Sequence, residues 1–174
     1  MKRILISFVM VSLFLLAGCA SAPKADSEKF QEPVNVYLTQ FSNDTVYYGL
    51  ESALTNIIIN ELMSSRYVVL TNKETSEYYI EGRISDYKLM PLTFSKDNEV
   101  EEYQLLIFAN VIMKRTSDEE VIWREKGITG DDIFFTSVVD TSGKSDVTLE
   151  KEAQTRALKY LAEDIAERIS ERKE

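Results

Sequence analysis

Histidine is absent from all 174 residues, and cysteine occurs once, at Cys19. Without an imidazole the chain lacks the commonest general base and the commonest metal ligand, and no Ser-His or Cys-His arrangement can form. One cysteine cannot make an internal disulfide, so stability in an oxidising compartment has to come from packing. The chain has no Gly-x-Gly-x-x-Gly, no phosphate-binding loop and no Gly-x-Ser-x-Gly elbow. Basic residues are scarce, 20 against 29 acidic ones. So acidic a chain is a poor candidate for binding nucleic acid or a generic anionic membrane surface, both of which call for a basic face. Three carboxylate clusters, Glu99-Glu101-Glu102, Asp118-Glu119-Glu120 and Asp131-Asp132, are the remaining material for acid-base or Ca²⁺ chemistry. They lack the alternating spacing of an EF-hand loop and sit beside predicted turns, which favours solvated loop charge. The reading is a non-enzymatic protein with no metal and no cofactor.

The first residues address the chain to a compartment. Lys2 and Arg3 precede an apolar run of 13 residues, Ile4 to Leu16. That is signal-peptide length, and short of the roughly 20 residues a bilayer-spanning helix needs. The run ends in Leu16-Ala17-Gly18-Cys19, which resembles the lipobox of bacterial lipoproteins. Ala17 and Gly18 are small enough to enter a peptidase in extended form, and the Cys19 thiol is the atom that takes the lipid. Residues 1–18 are therefore expected to be a removable signal, leaving 156 residues that begin at a lipidated Cys19. Loss of Lys2 and Arg3 leaves 18 basic residues against 29 acidic ones, a net charge of −11. Ala20 and Ser21 follow the cysteine, with no aspartate, and by resemblance to enterobacterial sorting this implies the outer membrane. Ala20 to Gln31 is small, polar and contains a proline, which makes residues 19–32 a lipidated tether reaching at most about 40 Å. Residues 33–174 form the domain proper.

Within the domain the hydrophobic period changes several times. Val34, Val36 and Leu38 alternate with polar neighbours and predict a strand running to about Gln40. Asn43-Asp44-Thr45 supplies turn and N-cap chemistry, and Leu50, Ala53, Leu54, Ile57, Ile58 and Leu62 recur at helical spacing. Extended pieces follow at Tyr67 to Leu70, Tyr78 to Leu89, about Tyr103 to Lys114, and Val121 to about Thr129. The turn at Thr116 to Glu119 makes the last two a hairpin. Phe134 to Ser145 reads as a loop. Ala153, Ala157, Leu161, Ile165 and Ile169 then stack every four residues on a closing helix. The expectation is an α+β two-layer sandwich, with two helices packed on one face of a mixed sheet of about four strands.

The strand from Tyr103 to Lys114 breaks the rule for such a sandwich. Its odd positions, Tyr103, Leu105, Ile107, Ala109, Val111 and Met113, are all apolar or aromatic and should face the helices. The even positions should face water and be polar, yet they include Leu106, Phe108 and Ile112. Each would forgo roughly 1.5–3 kcal/mol of burial if left wet. Either a partner covers this face, or the Phe134–Ser145 loop folds over it, or these are ordinary scattered surface residues.

Several segments, taken in order, resemble the LptE family of lipopolysaccharide-assembly lipoproteins. They are Val34 to Phe41 leading to Asn43 and Thr45; Gly49-Leu50-Glu51 with Leu54-Thr55; Ile80-Glu81-Gly82-Arg83-Ile84 with Tyr87; Glu102-Tyr103-Gln104; Val121-Ile122-Trp123; and the alanines Ala153, Ala157 and Ala166. The resemblance implies a domain that plugs the lumen of an LptD-type outer-membrane β-barrel and helps carry lipopolysaccharide to the cell surface. It implies that Leu106, Phe108 and Ile112 face the barrel, and that Lys96 and Lys144, in loops, touch lipopolysaccharide. A charge of −11 argues for plugging over direct handling of a polyanion. An alternative is a lipoprotein activator of a peptidoglycan synthase, a class that shares an opening strand followed by Phe-x-Asn-x-Thr, here Phe41-Ser42-Asn43-Asp44-Thr45. A tether of about 40 Å is short for that work across the periplasm.

Overall fold

The structure is a computed structural model that describes residues 32–171. The expected signal peptide, the lipidated Cys19 and the tether as far as Gln31 lie outside the described residues. Nine short and long segments alternate along the chain: β1 (Val34–Leu38), β2 (Ser42–Asn43), α1 (Leu50–Ser64), β3 (Val68–Leu70), a 3₁₀ turn (Lys73–Thr75), β4 (Tyr78–Phe94), β5 (Val100–Arg115), β6 (Val121–Phe135) and α2 (Asp146–Glu171).

The strands form one mixed sheet in the order β3-β1-β4-β5-β6, with β2 continuing beyond β1 along the same side of β4. β1 pairs in parallel with both β3 and β4, and the parallel step from β1 to β3 is made through α1. β4, β5 and β6 are antiparallel neighbours of 17, 16 and 15 residues, each roughly 50 Å long at about 3.3 Å per residue. The two-layer α+β plan is as expected, but the sheet has six strands and not four. The surplus comes from two very short strands, β2 and β3, whose alternation is too brief to register as a period.

The long strands also outrun their sequence signals. β4 ends at Phe94 and not Leu89, and β6 ends at Phe135 and not Thr129, so the loop before α2 begins at Thr136. Pro91 would normally end a strand because it lacks an N–H. Here β2 stops pairing with β4 at Ile84. Beyond that point β4 pairs only with β5, and a missing donor on its open side costs the sheet nothing.

The helix layer covers one face. Leu50, Leu54, Ile58 and Leu62 of α1 and Ala153, Ala157, Leu161, Ile165 and Ile169 of α2 are buried against Leu105, Ile107, Ala109, Val111 and Met113 of β5. The expected alternation of β5 is borne out: its odd positions from Leu105 to Met113 are buried, and the even ones between them are half-buried. α2 is capped by Ser145, whose hydroxyl accepts from the Thr148 N–H at 3.4 Å. α1 is not capped by Asn43, Asp44 or Thr45. Its N-cap is Gly49, at φ 86°, a left-handed conformation that favours glycine. Asn43 acts at a distance, donating to the Tyr47 carbonyl at 2.8 Å and to the Glu51 carboxylate at 3.0 Å in the first helical turn.

Candidate partner-binding surface

The face of the sheet away from the helices is built from cross-strand rows. Leu106 stands between Lys88 on β4 and Asp131 on β6; Phe108 between Asp86 and Thr129; Ile112 between Glu81 and Arg124. Such directly opposed residues lie close enough to shield one another. Lys88 holds its ammonium 5.1 Å from the centre of the Phe108 ring and 3.0 Å from the Asp86 carboxylate. That ammonium keeps the Asp86 carboxyl below its ordinary range. The three apolar side chains are thus half-buried, flanked by the stems of charged neighbours. The loop after β6 turns away toward α2: Thr136 bonds to the carbonyls of Val100 and Glu101, and the Ser137 N–H donates to Asp146 at 2.6 Å.

The carboxylate clusters do not converge. Asp131 accepts from Gln104 at 3.0 Å on the outer face. Asp132, its neighbour, points to the other side and pairs with Arg156 of α2 at 2.7 Å. Asp118 and Glu120 both close on Arg115 at the hairpin turn.

Lys96 and Lys144 lie at the same end of the sheet, where β4 ends, β5 begins and β6 ends. Lys96 is exposed in the tight turn that the Ser95 N–H closes onto the Glu99 carbonyl at 2.8 Å. No ion pair to Lys96 is found among the described residues. Lys144 is different: its ammonium sits 2.7 and 2.8 Å from the two oxygens of Glu152. That pairing neutralises it locally.

Two features at this end escape sequence reading. Tyr47 stacks on Tyr87 with ring centres 3.8 Å apart, and the Tyr87 hydroxyl donates to Glu150 at 2.8 Å, fastening the β2–α1 loop, β4 and α2 together. Burial first, and then the Glu150 carboxylate, raise the Tyr87 phenol above the ordinary tyrosine range. The second feature is a group of exposed apolar residues at the strand tips, Leu92, Phe94, Phe135, Val138 and Val139. Phe135, Val138 and Val139 lie in the segment read as a loop, and Leu92 and Phe94 in a stretch to which the periodicity gave no element.

The motif segments acquire structural duties. A Cβ at Gly82 would lie 2.1 Å from two ring carbons of the buried Phe41, far closer than contact distance. The Phe41 N–H donates to Thr55 at 3.0 Å, and Asn43 accepts from Thr45. Trp123 packs against the core, with its indole Nε1 buried and unpartnered among the described residues.

The sequence model of the family described as lipopolysaccharide-assembly, LptE, matches residues 34–172. The chain belongs to the LptE family. Solved structures share the fold. A protein from Xanthomonas campestris superposes with a TM-score of 0.60 at 13% identity, covering 82% of this chain and 86% of that one. A protein from Chlamydia trachomatis gives 0.54 at 11% identity, with 79% and 96% covered. Lipoprotein B from Nitrosomonas europaea gives 0.51 at 18%, with 80% and 86% covered. No curated protein matches the sequence. Among the described residues no helix is long and apolar enough to cross a membrane, which says nothing of β-barrels. The LptE match spans the described domain from β1 to the end of α2.

Proposed function

We propose that this LptE-family chain is an outer-membrane lipoprotein, lipidated at Cys19, that works without catalysis as a plug and assembly factor inside an LptD-type β-barrel for lipopolysaccharide transport. One observation carries the reading beyond family membership. The face of the long sheet away from the helices holds Leu106, Phe108 and Ile112 in a half-buried row, with charged side chains on both sides of Leu106 and Ile112 and Asp86 and Thr129 beside Phe108. A partner's wall can complete that burial. Three side chains, each gaining part of the roughly 1.5–3 kcal/mol of full burial, supply a useful share of an interface.

The flanking ions suit a barrel lumen, which is lined by polar residues. Lys96, exposed and unpaired among the described residues, is the better candidate for a lipopolysaccharide contact. Lys144 would first have to leave Glu152. The Phe41-x-Asn43-x-Thr45 segment that suggested a peptidoglycan-synthase activator is spent on folding, since Phe41 fills the core over Gly82 and Asn43 and Thr45 bond to each other.

The test is affinity purification of the tagged full chain from detergent-solubilised outer membranes. A large β-barrel protein in stoichiometric amount is expected. Recovery of the chain without any barrel would sink the proposal.

A further inference from the structure

The chain enters the sheet at a corner that carries exposed apolar side chains. Val34 stands level with Val68, and the Val34 N–H donates to the Tyr67 carbonyl at 3.1 Å. β3 is the edge of the sheet, with no strand beyond it among the described residues. Val68 is buried in the core, so its neighbours Tyr67 and Val69 turn outward, 39 and 48% exposed. Met63, in the last turn of α1 just before them, is 71% exposed. Arg66 lies in the connection between Met63 and Tyr67, exposed, and no ion pair to it is found among the described residues.

What covers this corner follows from the stretch between it and Cys19. From Cys19 to Val34 there are 15 steps, at most about 50 Å when fully stretched and about 20 Å on average for a flexible tether. The corner is therefore the part of the described domain held nearest the bilayer that takes the Cys19 lipid. Val36 is level with Tyr78, so Phe94, at the other end of β4, is roughly 50 Å farther off. The side chains suit a lipid surface. Tyrosine is enriched at the membrane–water interface, where its ring rests at headgroup level. An arginine stem lies along apolar surface while its guanidinium reaches a phosphate. Charge selects the kind of lipid: Arg66 and Lys73 are matched by Glu74 and Glu77. Without a net positive charge the corner fits a zwitterionic bilayer and not an anionic one.

We infer that the α1–β3 corner is a lipid-contact surface, with Met63, Tyr67 and Val69 among the headgroups of a zwitterionic phospholipid layer and Arg66 on a lipid phosphate. The inference rests on the Cys19 lipidation in the proposed function. It adds that the acyl chains hold the protein while the corner orients it, with the strand tips directed away from the bilayer.

Cys19 is the sole cysteine, so once it is lipidated an introduced cysteine can be labelled alone. The test places an environment-sensitive fluorophore on the full lipidated chain through Ser64→Cys, beside the corner, and in separate samples through Phe94→Cys and Tyr160→Cys, all exposed positions. In phosphatidylcholine vesicles the label at Ser64 should shift to the blue. Nitroxide lipids should quench it about twofold, as for groups lying within about 10 Å of the headgroup boundary. Labels at Phe94 and Tyr160 should show neither change. Met63→Gln, Tyr67→Ser and Val69→Thr together should abolish both signals at Ser64 and leave the domain folded by circular dichroism. A water-like signal at Ser64, an equal signal at Phe94 or Tyr160, survival of the signal in the triple variant, or a signal only when phosphatidylglycerol is added overturns the inference. None of these readouts involves a barrel, so each leaves the plug reading standing. A chain recovered without lipid on Cys19 sinks the anchoring on which both rest.

Discussion

Gly130 lies where α2 comes closest to the sheet: a Cβ there would meet the Ala157 carbonyl oxygen and the Leu161 side chain. Backbone cannot step aside as a flexible side chain can, so Gly130→Ala forces helix and strand apart. We expect a loss of about 1–3 kcal/mol in urea unfolding, the usual cost of overpacking. Neither this contact nor the Phe41–Gly82 contact is legible along the sequence, because each joins positions far apart in the chain. The Tyr87–Glu150 hydrogen bond is hidden for the same reason, and it carries a pH signature. The folded state holds the phenol above the ordinary tyrosine value of 10.0, so folding favours the protonated form. That stabilisation is complete below pH 10 and falls away as the pH rises beyond it. Thermal unfolding of Tyr87→Phe should accordingly show a flatter decline above pH 10 than the parent chain. Equal slopes would show that the bond does not govern alkaline stability.

At the scale of elements, β5 was the most legible part of the chain because a period of two persists over many residues. Its buried positions from Leu105 to Met113 and its half-buried Leu106, Phe108 and Ile112 fall where the alternation put them. Legibility fails at the strand ends, where Pro91 and the loop-like composition after Thr129 mask residues held in place by their neighbours' pairing. β2 and β3 are invisible alone, since two or three residues cannot show a period. The outer row allows burial and binding to be separated. Leu106→Thr, Phe108→Thr and Ile112→Thr together keep β-branched or strand-compatible residues at every position and touch nothing in the helix-facing core. The triple variant should lose about 2–4 kcal/mol of stability, read by chemical denaturation, and remain folded, while recovery of the barrel in pull-downs falls steeply. Undiminished recovery would mean that the partner binds elsewhere.

The whole molecule combines a domain whose helix-facing core is complete with an outer sheet face and tips that are not. Among the described residues, every buried core residue lies between Val34 and Ile169. Anchoring and folding should therefore be separable. Replacing residues 1–19 by a cleavable secretory signal without a lipidated cysteine should release a folded domain into the periplasm, with the melting temperature of the lipidated chain. What changes is concentration. On the proposed lipidated-tether reading, a reach of about 40 Å would confine the domain to a thin shell beside the membrane and raise its effective concentration toward a membrane partner into the millimolar range. Freed into the periplasm, the domain should still bind the barrel through the same surfaces, but only when its expression is raised well above the native level. Titrating expression of the lipid-free form against barrel recovered from cells tests this directly. Full recovery at native expression would assign the lipid no part in recruitment, and failure at any level would place part of the binding surface in the first 31 residues.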